Sequence, residues 1–166
     1  MPDETLLTMA NEIRGKTLRL LDGVPEDAAR FTAGMSNSIL WHAGHALMLV
    51  EHLCIMPATG ATEPQYPRGW YDLFAWGSRP AMVPPDAWPR LADVTSHLRA
   101  QIERLRAAIR SLSPQDLDRV HDPARNRTVR YSIVHGLHDE ATHQGEIHLL
   151  KKLYGRQNAV ATSTGS

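Results

Sequence analysis

The chain has 166 residues, 42% of them hydrophobic, and its 18 basic side chains are balanced by 18 acidic ones. That length suits one domain with a sizeable core, and a balanced charge without a long Lys/Arg run argues against a phosphate-neutralising nucleic-acid surface. No nucleic-acid partner is therefore expected.

The opening MPDET is acidic rather than a basic-then-apolar leader, and the apolar runs read as too short to span a bilayer, so no membrane partner is expected and the protein is placed in the cytoplasm. The single cysteine, Cys54, cannot form an internal disulfide and reads as a buried packing thiol.

In chain order, Leu6, Met9, Ile13, Leu18 and Leu21 recur at helical spacing over residues 3–22, before Gly23 and Pro25. Ser36 is a candidate cap for a second helix running to Pro57. Residues 57–89 are rich in Pro, Gly and aromatic side chains and form a long connection. A third helix, about residues 89–112, shows the cleanest amphipathic period, from Leu91 to Ile109. Ser113 and Pro114 end it, and a polar loop to Asn126 is expected. Thr128 caps a last helix that Gly155 terminates. The expectation is an all-α, four-helix bundle with a long crossover between helices 2 and 3, over residues 1–156, with a polar, disordered tail at 157–166.

Seven of the nine histidines fall in the second and last of these helices. His42, His45, Leu49, His52 and Met56 step by three and four, which makes one stripe facing the bundle. On the last helix, His138 and His143 are five apart and cannot clasp one ion from one face. Asp139 and His143, four apart, can; Glu140 with His143 and His143 with Glu146 are alternatives at three. Asp139 with His143 ranks first, because Glu146, Leu150 and Leu153 continue nearly the same face. His138 and His148 point away from it. One histidine from helix 2 with an acid and an imidazole from helix 4 would give a three-ligand set with open positions, suited to Zn, Ni, Fe(II) or Mn.

Two stretches resemble the DinB/YfiT-like superfamily of metal-binding four-helix bundles. Ser38-Ile39-Leu40-Trp41-His42-Ala43-Gly44-His45 is similar to the family's Ser-Ile-x-Trp-x-x-x-His. Asp139-Glu140-Ala141-Thr142-His143-Gln144-Gly145-Glu146-Ile147 is similar to its His-x-x-x-His-x-Gly-Gln-Ile. The resemblance covers about residues 3–155 and implies metal ligands at His45 and His143. Asp139 stands where histidine is usual and Glu146 where glutamine is usual, and a carboxylate at 139 still suits a divalent ion.

By that resemblance the function is a metal-dependent enzyme that activates a thiol or water for attack on a small electrophile, such as a thiol S-transferase. Zn or Ni is favoured as the ion, and a low-molecular-weight thiol is a candidate cosubstrate. His42, Glu140 and Glu146 are candidates for proton transfer or for orienting a ligand, and Trp70, Phe74 and Trp76 for a pocket wall over a small-molecule substrate. A homodimer is implied as well. The alternative is a non-catalytic metal-binding or stress-response bundle, or a dimerising scaffold without metal.

Overall fold

The computed structural model describes residues 1–163, and side chains through residue 160. Helix α1 (Glu4–Leu21) starts where Asp3 accepts from the Leu6 amide at 3.0 Å. The short α2 (Glu26–Arg30) follows, then α3 (Ile39–Leu49), a π-helical turn (Val50–Ile55) and α4 (Met56–Thr59). The connection carries α5 (Trp70–Phe74) and two 3-10 turns, Pro80–Met82 and Pro85–Ala87. Beyond it lie α6 (Leu91–Ser111), α7 (Pro114–Asp118), a small antiparallel pair β1 (Val120–Asp122) and β2 (Arg127–Thr128), and α8 (Val129–Ser163).

The long elements form a square. Helices α1 and α3 each pack against both α6 and α8, with α1 opposite α3 and α6 opposite α8. The fold is all-helical apart from the short hairpin.

Several boundaries differ from expectation for local reasons. Ser38, not Ser36, caps α3, its hydroxyl accepting from the Trp41 amide at 3.2 Å. The expected loop after Ser113 contains α7, whose Ser113–Asp116 capping box satisfies its first amides, and then the hairpin. Thr128 caps α8 as anticipated, accepting from the Tyr131 amide. Gly155 does not end α8, which continues to Ser163; of the expected tail, residues 164–166 lie outside the described residues.

The stretch Ile39–Thr59, read from sequence as too short to cross a bilayer, is long and apolar enough to do so, with mean hydropathy 1.3. Burial of 78% of that window inside the molecule accounts for its apolarity by packing.

The π turn has an identifiable cause. Gln101 Nε2 donates to the Leu47 carbonyl at 3.0 Å and to Glu51 Oε2 at 2.8 Å, so a side chain from α6 enters the ladder where α3 widens. The Met56 amide then bonds back to the Glu51 carbonyl, five residues earlier. This turns Glu51 inward, where Arg104 grips both its oxygens at 2.7 and 3.0 Å.

Two apolar clusters fill the bundle, one around Leu6, Val50, Leu105 and Ile133, the other around Ile39, Leu47, Leu98 and Ile147. A buried polar group lies at the middle of the chain's packing. Arg14 bonds Glu140 twice, at 2.8 and 3.0 Å, and also the Leu98 carbonyl and Gln101. Thr17 donates to Glu140 at 2.7 Å and accepts from Gln144 at 3.0 Å. Every polar atom of the pair thus has a partner, as burial of charge demands. The core face of α1 accordingly includes Arg14 and Thr17, while Met9, Ile13 and Leu18 lie only partly buried.

Candidate functional site

Helices α3 and α8 meet where their histidines face each other. The close approach begins with glycine: a Cβ on Gly44 would lie 2.2 Å from the Phe74 ring, so only a bare backbone lets Phe74 seat on α3. Phe74, fully buried at the end of α5, thereby presents its carbonyl oxygen to His45. His45 Nδ1–H donates to that oxygen at 2.6 Å. A carbonyl can only accept, so the neutral ring carries its proton on Nδ1 and keeps a lone pair on Nε2. Trp41 stacks on the same ring, with centroids 4.6 Å apart, and fixes its plane.

His143 comes from α8 and meets the edge of His45, ring centroids 4.8 Å apart. Its Nδ1 lies 2.9 Å from His42 Nδ1, so one ring donates to the other. If His143 donates, its Nε2 lone pair joins that of His45; if His42 donates, it does not. Burial lowers the His42 pKa from its ordinary 6.5 to about 3, with the neighbouring imidazoles adding to the effect. Burial, assisted by His45 and opposed by the charge of Asp139, lowers His143 to about 4. His45 is lowered by burial too, and the Phe74 hydrogen bond and Asp139 oppose the shift. Asp139 is thus close enough for its charge to act on both rings.

These shifts predict acid lability. Because burial keeps the two rings neutral, the unfolded chain takes up protons below pH 6.5 that the folded chain refuses. Their stabilisation is complete above pH 6.5 and falls as the pH drops through that value towards about 4 and about 3. Urea unfolding in chelator at pH 7 and pH 4.5 should show a larger loss for the parent than for a His42→Gln/His143→Gln variant. Equal losses would remove these rings as the cause.

His45, Asp139 and His143 line one cavity of about 600 Å³, together with Trp41, Met48, His52 and Trp76 among others. The three are brought to the same space but do not form a closed ligand set as they stand. Among the described residues no group of three or more His, Cys, Asp or Glu side chains is arranged to hold a metal. Asp139 instead lies 3.5 Å from both His135 Nε2 and His138 Nδ1, contacts longer than ordinary hydrogen bonds.

The remaining candidates separate. Glu140, one residue from Asp139, turns to the opposite side of α8 and gives its carboxylate to Arg14 and Thr17, so it is not placed to take a proton in the cavity. Glu146 is exposed and lines a smaller cleft of about 320 Å³ beside His42, His143 and Thr142. The core face of α8 runs through Ile133, Leu137, Glu140, Gln144 and Ile147, which leaves Asp139, His143 and Glu146 on its flank rather than facing inward. His138 and His148 are exposed.

Of the three aromatic candidates, Trp70 packs inward against Phe74 and His97, and Phe74 serves through its carbonyl. Trp76 alone lines the cavity, at its rim and 91% exposed. Tyr71, within the same aromatic stretch, lines the cavity too, whereas sequence reasoning missed Trp41 as a wall residue. Trp41 stood in the motif as a helix residue, but nothing local says that its ring covers His45. His52 also lines the cavity, its Nε2 2.9 Å from the Tyr66 hydroxyl. Cys54 is buried beneath α8, where burial pushes its thiol pKa up and removes it as a nucleophile.

Among curated proteins no sequence matches the chain. The family model for the DinB superfamily matches residues 10–147, a span that contains the motifs on both α3 and α8. With most of its length matched and an all-helical fold, the chain belongs to the DinB superfamily.

Proposed function

We propose that the chain is a metal-dependent enzyme acting on a small molecule, with His45, Asp139 and His143 as the ligands of one divalent ion. The observation that carries this is the state of His45: its Nδ1–H is tied to the Phe74 carbonyl, which leaves Nε2 as a lone pair on a ring that lines the cavity. A histidine whose second nitrogen donates to a backbone carbonyl is the usual form of a metal-ligating imidazole.

The donor set fits a borderline ion such as Zn or Ni, with Fe or Mn next. His143 completes the pair of imidazoles when His42 accepts its Nδ1 proton. Asp139 joins by leaving His135 and His138, whose 3.5 Å contacts hold it only weakly. An ion held there would supply the positive charge that lowers the pKa of a bound thiol or water and makes it a nucleophile at neutral pH. The protein residues orient the imidazoles and wall the cavity. A low-molecular-weight thiol as cosubstrate and a cytoplasmic setting accord with the family resemblance and the single buried cysteine. A homodimer, implied by the same resemblance, would cover the exposed Tyr131, Val134 and Leu149 of α8.

The 3.5 Å contacts of Asp139 with His135 and His138 favour a second reading, a non-catalytic bundle without a metal. Calorimetric titration with Zn(II) and Ni(II), with elemental analysis of the purified protein, decides between them. About one ion per chain is expected, with binding abolished in His45→Ala and in His143→Ala and retained in His138→Ala and His148→Ala. Full stoichiometry in both of the first two variants would overturn the ligand assignment. A thiol-transfer screen with and without chelator then tests catalysis.

A further inference from the structure

The 600 Å³ cavity does not end at its own rim. A cleft of about 460 Å³ opens beside it and shares Asn37, Trp41 and Trp76 with it. A third hollow, of about 390 Å³, follows and shares Ser36, Pro80 and Ala81 with the cleft. The three make one groove that leads from the histidines along the start of α3 and the crossover. Its chemistry changes on the way. Asp139 lines the histidine end, no carboxylate lines the cleft or the third hollow, and those two carry Arg79 and Arg30 instead.

The backbone at Arg79 is held from both sides. Trp41 stacks on His45 and donates its Nε1–H to Ser78 Oγ at 2.8 Å, so the residue before Arg79 is tied to the ring that covers the candidate ligand. The Arg79 carbonyl accepts from the Met82 amide at 2.9 Å. Among the described residues, none bonds or pairs with the Arg79 guanidinium, which is exposed at the cleft. Arg30, by contrast, spends a donor on the Pro85 carbonyl at 2.8 Å. Asn37, half-buried where the cavity meets the cleft, likewise leaves its side-chain amide without a partner among the described residues. A free guanidinium fork on a fixed backbone beside a concave surface suits a carboxylate, which it can take through two parallel hydrogen bonds.

From the continuous groove, the fixed backbone at Arg79 and the unmatched charge there, we propose that the thiol delivered to the ion is elongated and carries an oxyanion, such as a carboxylate, at its far end, and that Arg79 holds that end. The inference rests on the metal reading for the placement of the reacting end at His45 and His143. The charge of a divalent ion balances Asp139 and a bound thiolate, so the histidine end has no attraction left for a further anion, whereas the cleft has one. Arg79 is then the residue that selects among thiols by the tail they carry.

The probes are mercaptohexanoate, mercaptooctanoate and mercaptoundecanoate, each with a terminal thiol, paired with the mercaptoalcohol of the same length and titrated calorimetrically into zinc-loaded full-length protein. At one length or more the acid should bind at least about tenfold tighter than the alcohol. Arg79→Gln should bring the two within about twofold of each other and leave zinc stoichiometry and alcohol affinity unchanged, and Arg79→Lys should restore part of the preference. Arg30→Gln removes an equal charge farther along the groove and should leave the preference intact. Equal affinities of acid and alcohol at every length, a preference that survives Arg79→Gln, or an equal loss in Arg30→Gln would each overturn the proposal. Octanoate and octanol, titrated into chelator-treated protein, test the same end of the groove without the ion, and the acid should again lead only with Arg79 in place. A lost preference with zinc binding intact refutes the oxyanion subsite alone, and absent zinc binding with the octanoate preference intact refutes the metal alone.

Discussion

Glu140→Ala is expected to destabilise the fold by about 3–5 kcal/mol, the cost of leaving a buried charge without its partner. Arg14 is 1% exposed and Glu140 fully buried, so the guanidinium cannot recover its lost bonds from solvent without opening the bundle. Thr17 and Gln144 lose a partner in the same change. For a chain of this size the melting temperature should fall by on the order of 10 °C. The double variant Arg14→Met/Glu140→Leu should be less damaged than Glu140→Ala, because it strands no charge. Denaturant unfolding of the two variants checks this, and a Glu140→Ala protein within about 1 kcal/mol of the parent would show that the pair is not a keystone of the core. The ion pair also has a consequence at the cavity. Drawing Glu140 toward α1 sets the rotation of α8, and that rotation turns Asp139 and His143 toward α3 and the cavity.

Gly44→Ala should have the second largest effect. The added methyl would lie 2.2–2.4 Å from Phe74 ring atoms, in a core with no room for the ring to retreat. Overpacking of that kind costs about 1–3 kcal/mol. The loss should extend to function, since moving Phe74 takes away the carbonyl that orients His45. Zinc affinity is therefore expected to fall about 10- to 100-fold, the usual effect of removing an outer partner of a ligating histidine. Gly145→Ala, where an added Cβ meets nothing within 4 Å, is the matched control: it should leave zinc affinity unchanged and, at an exposed position inside α8, raise stability by up to about 1 kcal/mol. Equal zinc affinity in the parent and Gly44→Ala would separate Phe74 from the site.

Both effects arise from partners far apart in the chain, and that separation divides what could be read early from what could not. The apolar periods of α1 and α6 were visible because a helix repeats its neighbourhood every three or four residues. The spacing of Asp139 and His143 was legible for the same reason. The pairing of Arg14 with Glu140, 126 residues apart, leaves no local trace. Glu140 therefore stood only as a lower-ranked alternative to its neighbour Asp139, with nothing to show that one is buried in the core and the other lines the cavity.

The π turn at Val50–Ile55 was hidden for a related reason. Its cause is Gln101 on another helix, whereas VEHLCI alone suits a continuous α-helix. Trp70 and Trp76 present the same composition within one connection, yet one packs inward and the other stands at the rim. Which ring faces the cavity follows from where α5 docks, and α5 docks where Gly44 admits Phe74.

Taken by itself, the amino-acid order determined the helical class, the apolar periods of α1 and α6 and the motifs at 38–45 and 139–147, since each depends on repeats within a few turns of one helix. Tertiary structure alone decided which side of α8 meets which helix, that His45 carries its proton on Nδ1, and that Asp139 lines the cavity while Glu140 is buried against Arg14. These depend on backbone atoms and charges brought close only by packing, where a single bare Cα or a buried ion pair sets the register of everything around it.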